Sequence, residues 1–285
     1  MAGILYVVAT PIGNLEDVTL RALRVLRDVS MIAAEDTRRT ARLLQQYSIS
    51  TRTTGLHEHN EREKGAKLVE RLLAGESIAL VSDAGTPVVS DPGQTLVALA
   101  RSAGIRVEAI PGPSAILAAI SASGLPAGGF SFLGFPPSRA SERNSWFKGL
   151  PGRTDLLVFF EAPHRVRDTL DRLVLVFDQN KLIGVGRELT KAHEELVVRP
   201  IIELVEKFVE PRGEFTFLVP PDASDGEEAR PLPDLQVLQQ ELGQITESDG
   251  VTGRAAVKVL ASRYRMPVNE LYHLLNQFGR GGHKT

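Results

Sequence analysis

Cysteine is absent from all 285 residues, which excludes disulfides, Cys-ligated zinc, Fe–S clusters and a thiol nucleophile. No apolar run approaches the roughly 20 residues that span a bilayer, so no membrane segment is expected. The opening stretch Met1-Ala2-Gly3-Ile4-Leu5-Tyr6 lacks the basic and long apolar regions of a signal peptide and leads into a first strand. The cytoplasm is the expected compartment. Neither G-x-x-x-x-G-K-[ST] nor a helix-opening G-x-G-x-x-G occurs, which disfavours tight pyrophosphate binding. Trp146, the single tryptophan, and the phenylalanines sit in apolar runs where a core role outranks base stacking.

What is present is an ordinary globular composition, 42% hydrophobic and 24% charged, on a chain long enough for two or three cores. The net charge of −2 is unevenly spread. Residues 221–249 carry eight acidic side chains against Arg230 alone; residues 251–285 carry six Lys or Arg against Glu270 alone. An electrically balanced body, an acidic tether and a basic tail point to a polyanion partner touched mainly by the tail.

Strand and helix signals alternate over the first 120 residues. Strands are expected at Ile4 to Val8, Met31 to Ala34, Thr51 to Leu56, Ser77 to Val81 and Val107 to Ile110, with helical apolar spacing between them. Such alternation predicts a doubly wound, mostly parallel sheet in a domain of residues 1–122. The breaker-rich stretch Ser123 to Gly129 links it to a second domain, residues 123–220, with strands at Phe130 to Leu133, Asp155 to Phe160, Leu182 to Arg187, Glu194 to Val198 and Glu214 to Val219. Few helices intervene there, so a mixed sheet with antiparallel pairs is expected. Residues 221–233 read as a tether. Residues 234–285 read as a small helical domain in which Ala256, Val259, Leu260, Leu271, Leu274 and Leu275 form facing stripes, suited equally to a helix-turn-helix and to a plain helical hairpin.

The chemistry is expected at strand ends. Thr10-Pro11-Ile12-Gly13-Asn14 follows the first strand and Glu35-Asp36-Thr37-Arg38 the second. Ser82-Asp83-Ala84-Gly85-Thr86-Pro87 follows the fourth and Pro111-Gly112-Pro113-Ser114-Ala115 the fifth. A parallel sheet brings all of them to one edge, where open α/β sheets hold ligands. Stiff prolines and exposed carbonyls there suit a ligand that is cationic or neutral at its reactive centre. His57-Glu58-His59 has no third ligand at recognisable spacing, so no metal is expected.

These loops, with Ser90-Asp91-Pro92-Gly93, Phe160-Glu161-Ala162-Pro163-His164-Arg165 and Arg187-Glu188-Leu189-Thr190-Lys191, resemble the tetrapyrrole-methylase superfamily over residues 4–219. Within it they are similar to the branch that methylates the ribose 2′-oxygen of a cytidine in 16S rRNA. The resemblance implies two α/β domains, the first Rossmann-like and parallel and the second mixed, plus an appended helix-turn-helix-like domain. It also implies a homodimer, S-adenosylmethionine as methyl donor, and the small ribosomal subunit as partner. Methylation of a tetrapyrrole or another small acceptor is the alternative, against which the basic tail weighs.

On that resemblance the donor would be held by Pro11, Asp83, Ala84, Gly85, Thr86, Ser114, Ala115, Phe160, Glu161, Ala162, Glu214 and Phe215. Asp83 would take its amino group or ribose. Ser114 and Ala115, at a helix N-terminus, suit its carboxylate. Methylating a hydroxyl needs a base, and the candidates are Glu35, Asp36, His57, Glu58, Glu161 and Glu188, with Glu161 and Glu188 foremost. The competing role for each is a salt bridge to a nearby arginine such as Arg165 or Arg187. Arg38, Arg39, Arg165, Arg187, Lys191, Arg254, Lys258, Arg263 and Arg265 are the expected contacts to RNA.

Overall fold

The apolar runs of the first 110 residues form one parallel sheet in the computed structural model, which describes residues 2–222 and 235–248 together with Ala256, Val257, Leu260, Ala261, Leu271 and Leu275. Its strands are β1 (Ile4–Val8), β2 (Met31–Ala34), β3 (Thr53–Gly55), β4 (Ile78–Val81) and β5 (Arg106–Ile110), in spatial order β3-β2-β4-β1-β5. All four pairings are parallel. The chain crosses back by helices α1 (Leu20–Asp28), α2 (Thr37–Gln46), α3 (Glu61–Leu73) and α4 (Gln94–Ser102), and α5 (Ala115–Ser123) follows β5. Every residue of β4 is buried, as expected of a central strand covered on both faces.

Local chemistry starts these helices where the sequence turns. The Thr19 side chain accepts the Ala22 amide at the start of α1, and the Asp36 carboxylate accepts the Arg38 amide at the start of α2. Helix α4 has no cap of its own, since Gly93 precedes it with φ of 125°. Its first amides are taken instead by buried Glu61, whose Oε1 accepts Thr95 N at 2.7 Å and Leu96 N at 3.2 Å. The segment His57–Asn60, expected as polar loop, is a turn in which Asn60 Oδ1 accepts the His57 amide at 3.0 Å.

The second sheet has the order β6-β7-β10-β8-β9, with β6 (Phe130–Phe132), β7 (Leu156–Glu161), β8 (Leu182–Arg187), β9 (Glu195–Pro200) and β10 (Phe215–Val219). The β6–β7 pairing is parallel and the other three are antiparallel, so the mixed sheet is as expected. Helices α6 (Ala140–Lys148), α7 (Val166–Val176) and α8 (Ile201–Lys207) accompany it. The core includes Phe159 and Phe217, stacked with ring centroids 5.0 Å apart. A further apolar cluster joins Ile116 and Ala119 of α5 to Val158 and Leu218 of the second sheet.

Residues Met1–Asp222, with both sheets, make one unit and residues Ala223–Thr285 another. In the second unit α9 (Leu235–Ser248) contributes Leu238 and Ile245 to an apolar cluster with Ala256, Leu260 and Leu271, against which Leu275 packs. That shared core is what a helix-turn-helix and a plain hairpin both require. Val259, Leu274, Arg254, Lys258, Arg263, Arg265 and residues 223–233 of the expected tether lie outside the described residues.

Candidate active site between the two sheets

Two hollows open at the carboxyl edge of the parallel sheet, of about 680 and 470 Å³. Both fall in the size range of small-ligand sites, about 300–1,000 Å³. Ile12 and Glu214 line both of them. The loops after β1 and β4 are locked together beneath, because Thr10 and Gly85 exchange backbone hydrogen bonds of 2.9 Å in each direction.

The larger cavity is bounded on the parallel-sheet side by Ala84, Gly85 and Thr86 of the β4 loop and by Ser114, Ala115 and Ile116. From the second sheet come Phe160, Glu161, Ala162, Glu214 and Phe215. Phe160 packs edge-on to Phe132 with centroids 4.9 Å apart and meets Phe135 at 5.6 Å, giving an apolar wall for a flat ring. To the same cavity α5 presents its N-terminus. Ser114 caps it by accepting the Leu117 amide at 3.4 Å, and the first-turn amides have no intrahelical partner, so this wall favours an anionic group.

Asp91 also lines this cavity and was not among the expected site residues. Burial pushes its carboxyl up to about 6, against a Ser82 hydrogen bond that lowers it, and the nearby charges of Glu35 and Asp83 add to the rise. The loop that carries it is strained. Val88 and Ser90 have φ of 76° and 64°, and for a β-branched residue such a value costs about 1–3 kcal/mol. Val88 is held there by packing on the core of the first sheet. A Cβ on Gly93 would stand 2.6 Å from Leu80 Cδ2, so the turn closes only on glycine. The segment after β8 repeats the pattern, with Glu188 and Thr190 at φ of 49° and 66°. Strain thus collects at both rims of the two hollows, as it does at functional sites.

Pro11 and Asp83 line the smaller hollow, whereas the other residues expected at the donor line the larger one. Asp83 Oδ1 accepts the Asp36 amide at 2.9 Å and Oδ2 stands 3.3 Å from Arg39 Nη1. Its carboxylate is spent on tying the β4 loop to the start of α2. Sequence spacing had no means of seeing that α2 would reach back over this loop.

The two favoured bases both have charged partners. Glu161 has a side chain with no exposed surface. Its Oε2 accepts Arg143 Nη2 at 2.8 Å and Thr169 Oγ1 at 2.7 Å, and its Oε1 accepts the Ala162 amide at 2.9 Å. Arg165 Nε stands 2.8 Å from Oε1, a Coulombic contact without hydrogen-bond alignment. Glu188 is partly buried, which raises its pKa, but hydrogen bonds from Lys191 and the Glu214 amide outweigh that and hold it below the ordinary value. Both carboxylates are engaged as salt-bridge and hydrogen-bond acceptors, the role weighed against catalysis. Among the other candidates, Asp36 is held down to about 2 by hydrogen bonds from Arg38, and Glu35 accepts the Asp83 amide at 3.3 Å. His57 and Glu58 line neither hollow.

Of the cations, Arg39 and Lys191 line the smaller hollow. Lys191 pairs with Glu188 and Glu214 at 2.8 and 3.0 Å. Arg38 is exposed and pairs with Asp36. Arg187 donates to the Arg212 carbonyl at 2.8 Å. Arg165, expected on RNA, is turned inward to Glu161 and the Pro136 carbonyl.

Known proteins are similar to this chain in sequence and fold. Residues 4–205 match the family of Tetrapyrrole (Corrin/Porphyrin) Methylases. The chain is 42% identical over 278 residues to the ribosomal RNA small subunit methyltransferase I of Vibrio cholerae, covering 95% of this chain and 93% of that one. It is 45% identical over 249 residues to the protein of the same name from Pseudomonas aeruginosa, covering 86% and 88%. Among solved structures, uroporphyrin-III C-methyl transferase from Thermus thermophilus, complexed with S-adenyl homocysteine, superposes with a TM-score of 0.54 at 21% identity, over 76% of this chain and 97% of that one.

Proposed function

Because the chain belongs to the tetrapyrrole methylase family, and within it to the ribosomal RNA small subunit methyltransferase I proteins, we propose that it methylates small-subunit ribosomal RNA from S-adenosylmethionine. The acceptor in this reading is the ribose 2′-oxygen of a cytidine in 16S rRNA. The observation that carries the proposal is the pair of adjoining hollows with Ile12 and Glu214 in common, one suited to the donor and the other bordered by cations.

The larger cavity fits the donor by its chemistry. Phe160 and Phe135 offer a face to a purine, the α5 N-terminus offers amides to a carboxylate, and Asp91 offers an anion to a cationic ligand. S-adenosylmethionine supplies a methyl group activated on a positive sulfur. The chain's part is positioning, since in-line transfer depends on holding the acceptor oxygen within about 3–3.5 Å of the carbon it attacks. The two locked loops, Thr10–Gly85, give that alignment a rigid floor. Glu214 is a carboxylate bordering both hollows, and the Lys191 ion pair at 3.0 Å orients it.

Incubating the protein with labelled donor and unmodified small ribosomal subunits, followed by ribose-methyl mapping, tests the proposal. Label in one 16S cytidine is expected. Transfer to a porphyrinoid with none to subunits or free rRNA would transfer the assignment to the small-acceptor branch. The homodimer and the cytoplasmic location belong to the same reading, and light scattering tests the first. No helix among the described residues is long and apolar enough to cross a membrane.

Asp91 gives this reading a pH signature. Its carboxyl, with a pKa of about 6 in the folded chain, is protonated below that value and anionic above it. A cationic ligand favours the anion, so donor affinity should rise by up to about tenfold between pH 5 and 7 and then level, with proton release on binding below pH 6. Stability of the ligand-free chain runs the other way. A folded pKa above the ordinary 3.8 means that this group's contribution is present at low pH and is lost as pH rises through about 6. Calorimetry of donor binding across this range checks the first effect, and Asp91→Asn should flatten it. A pH-independent affinity in the native chain would remove Asp91 from the donor site.

A further inference from the structure

The smaller hollow contains one cation that none of the expectations above used. Arg42 is exposed on α2, three residues beyond Arg39, so that the two side chains share a helix face. Three cations and two carboxylates line this hollow. Arg39 is held 3.3 Å from Asp83, and Lys191 stands 3.0 Å from Glu214. Asp83 and Glu214 are thereby neutralised in place. Lys191 is also shared with Glu188 at 2.8 Å, so the paired groups leave no excess of positive charge, but among the described residues Arg42 has no carboxylate within ion-pair distance and its guanidinium stands unpaired beside the opening.

The hollow's other walls mix small or apolar groups, Pro11, Ile12, Gly13, Leu15 and Leu43, with the hydroxyl residues Thr10, Thr40 and Ser82. A concave surface with apolar and hydroxyl-bearing walls and a guanidinium at the rim is shaped for a single sugar-base unit with an anion attached. A paired A-form helix presents its 2′-hydroxyls along a wide, shallow groove and cannot insert one nucleotide into a recess, whereas a splayed nucleotide of a single strand can. We propose that the smaller hollow seats one unstacked nucleotide of single-stranded RNA, with an adjoining phosphodiester held by Arg42 and steadied by Arg39. The proposal rests on the RNA reading above and deepens it, because it assigns the acceptor its own subsite. Arg42 matches the phosphate by charge and by its planar fork of donors. Arg39, kept in position by Asp83, backs it from the preceding turn.

Steady-state methyl transfer to unmodified small subunits, measured between 50 and 200 mM salt for the native chain, Arg42→Ala and Arg42→Lys, tests this. For Arg42→Ala the KM for subunits is expected to rise about tenfold, with donor affinity by calorimetry and the melting temperature unchanged. The slope of log affinity against log salt should lose about 0.7 for the one phosphate contact removed. Arg42→Lys should recover the salt slope and only part of the affinity, since a point charge replaces a fork. A KM and a salt slope equal to those of the native chain in Arg42→Ala would overturn the subsite. The RNA reading itself fails separately and earlier: the native chain would bind donor yet label neither subunits nor rRNA.

Discussion

Arg143→Ala is expected to lower the stability of the unit formed by residues 1–222 by about 3–5 kcal/mol, the cost of breaking a buried ion pair from one side. The side chain of Arg143 is 4% exposed, and its guanidinium is divided among three side chains and the Pro137 carbonyl. Nη2 reaches both Glu161 and Thr169, at 2.8 and 2.6 Å, while Nε donates to Asp168 at 2.7 Å. These partners come from β7 and α7, so one side chain of α6 pins together elements that adjoin the larger cavity. Without it, Glu161 keeps the Thr169 hydroxyl, the Ala162 amide and the misaligned Arg165 inside a site that excludes water. Lysine is no substitute, since one ammonium cannot bridge Asp168 and Glu161 in the directions a guanidinium does. Urea denaturation followed by circular dichroism measures the effect. A midpoint within experimental error of the native chain would mean that Glu161 does not depend on Arg143. Arg143→Ala combined with Glu161→Gln should cost less than the two changes summed, because the orphaned charge is then gone.

That cluster shows where reading the sequence stops. Strand positions were legible because short, largely apolar runs between polar or charged residues leave little choice: β8 falls on Leu182–Arg187, between Lys181 and Glu188, and β2 on Met31–Ala34, between Ser30 and Glu35, as expected. The functional loops were legible too, since parallel strands send all their carboxyl ends to one edge. Ala84, Gly85, Ser114 and Phe160 meet at the larger cavity accordingly. Arg143 was not legible. It sits in Ala-Ser-Glu-Arg-Asn-Ser, a stretch as polar as any exposed helix face, and its burial is decided by Glu161 and Thr169, 18 and 26 residues away. The counter-ions of Glu161 were hidden for the same reason, because a carboxylate in a motif reads as chemistry until its partners are visible. The separate surroundings of Asp83 and Asp91 were hidden on similar grounds. Both flank the same loop in sequence, but the turn through Val88 and Ser90 sends one to Arg39 and the other to the large cavity. A charge count along the chain also favours the tail as the RNA contact and passes over Arg42, whose significance lies in what its neighbours on the hollow are already paired with.

Gly85→Val is expected to weaken donor binding at least about 100-fold while both sheets remain folded. Gly85 has φ of 76°, a region that costs an L-residue about 1–2 kcal/mol and a β-branched one more. The loop has little freedom to relax, because the Gly85 amide and carbonyl are both bonded to Thr10. A Cβ there would stand 3.5 Å from Ile12 Cγ2 and 3.9 Å from the Pro113 carbonyl, so alanine fits the space and pays mainly in backbone strain. Valine adds two methyl groups, and Ile12 is a wall that both hollows share. Pushing Ile12 therefore costs contacts in the larger cavity on top of the backbone strain, and each further loss of about 1.4 kcal/mol there is tenfold in affinity. The expected order of donor affinity is Gly85, then Gly85→Ala lower by about tenfold, the equivalent of 1.4 kcal/mol, then Gly85→Val. Calorimetry with S-adenosylmethionine gives the affinities, and far-UV circular dichroism checks that the fold persists. A valine variant that binds donor as tightly as the native chain would place the donor away from the larger cavity and return Asp83, with the smaller hollow, to the first position among the candidates.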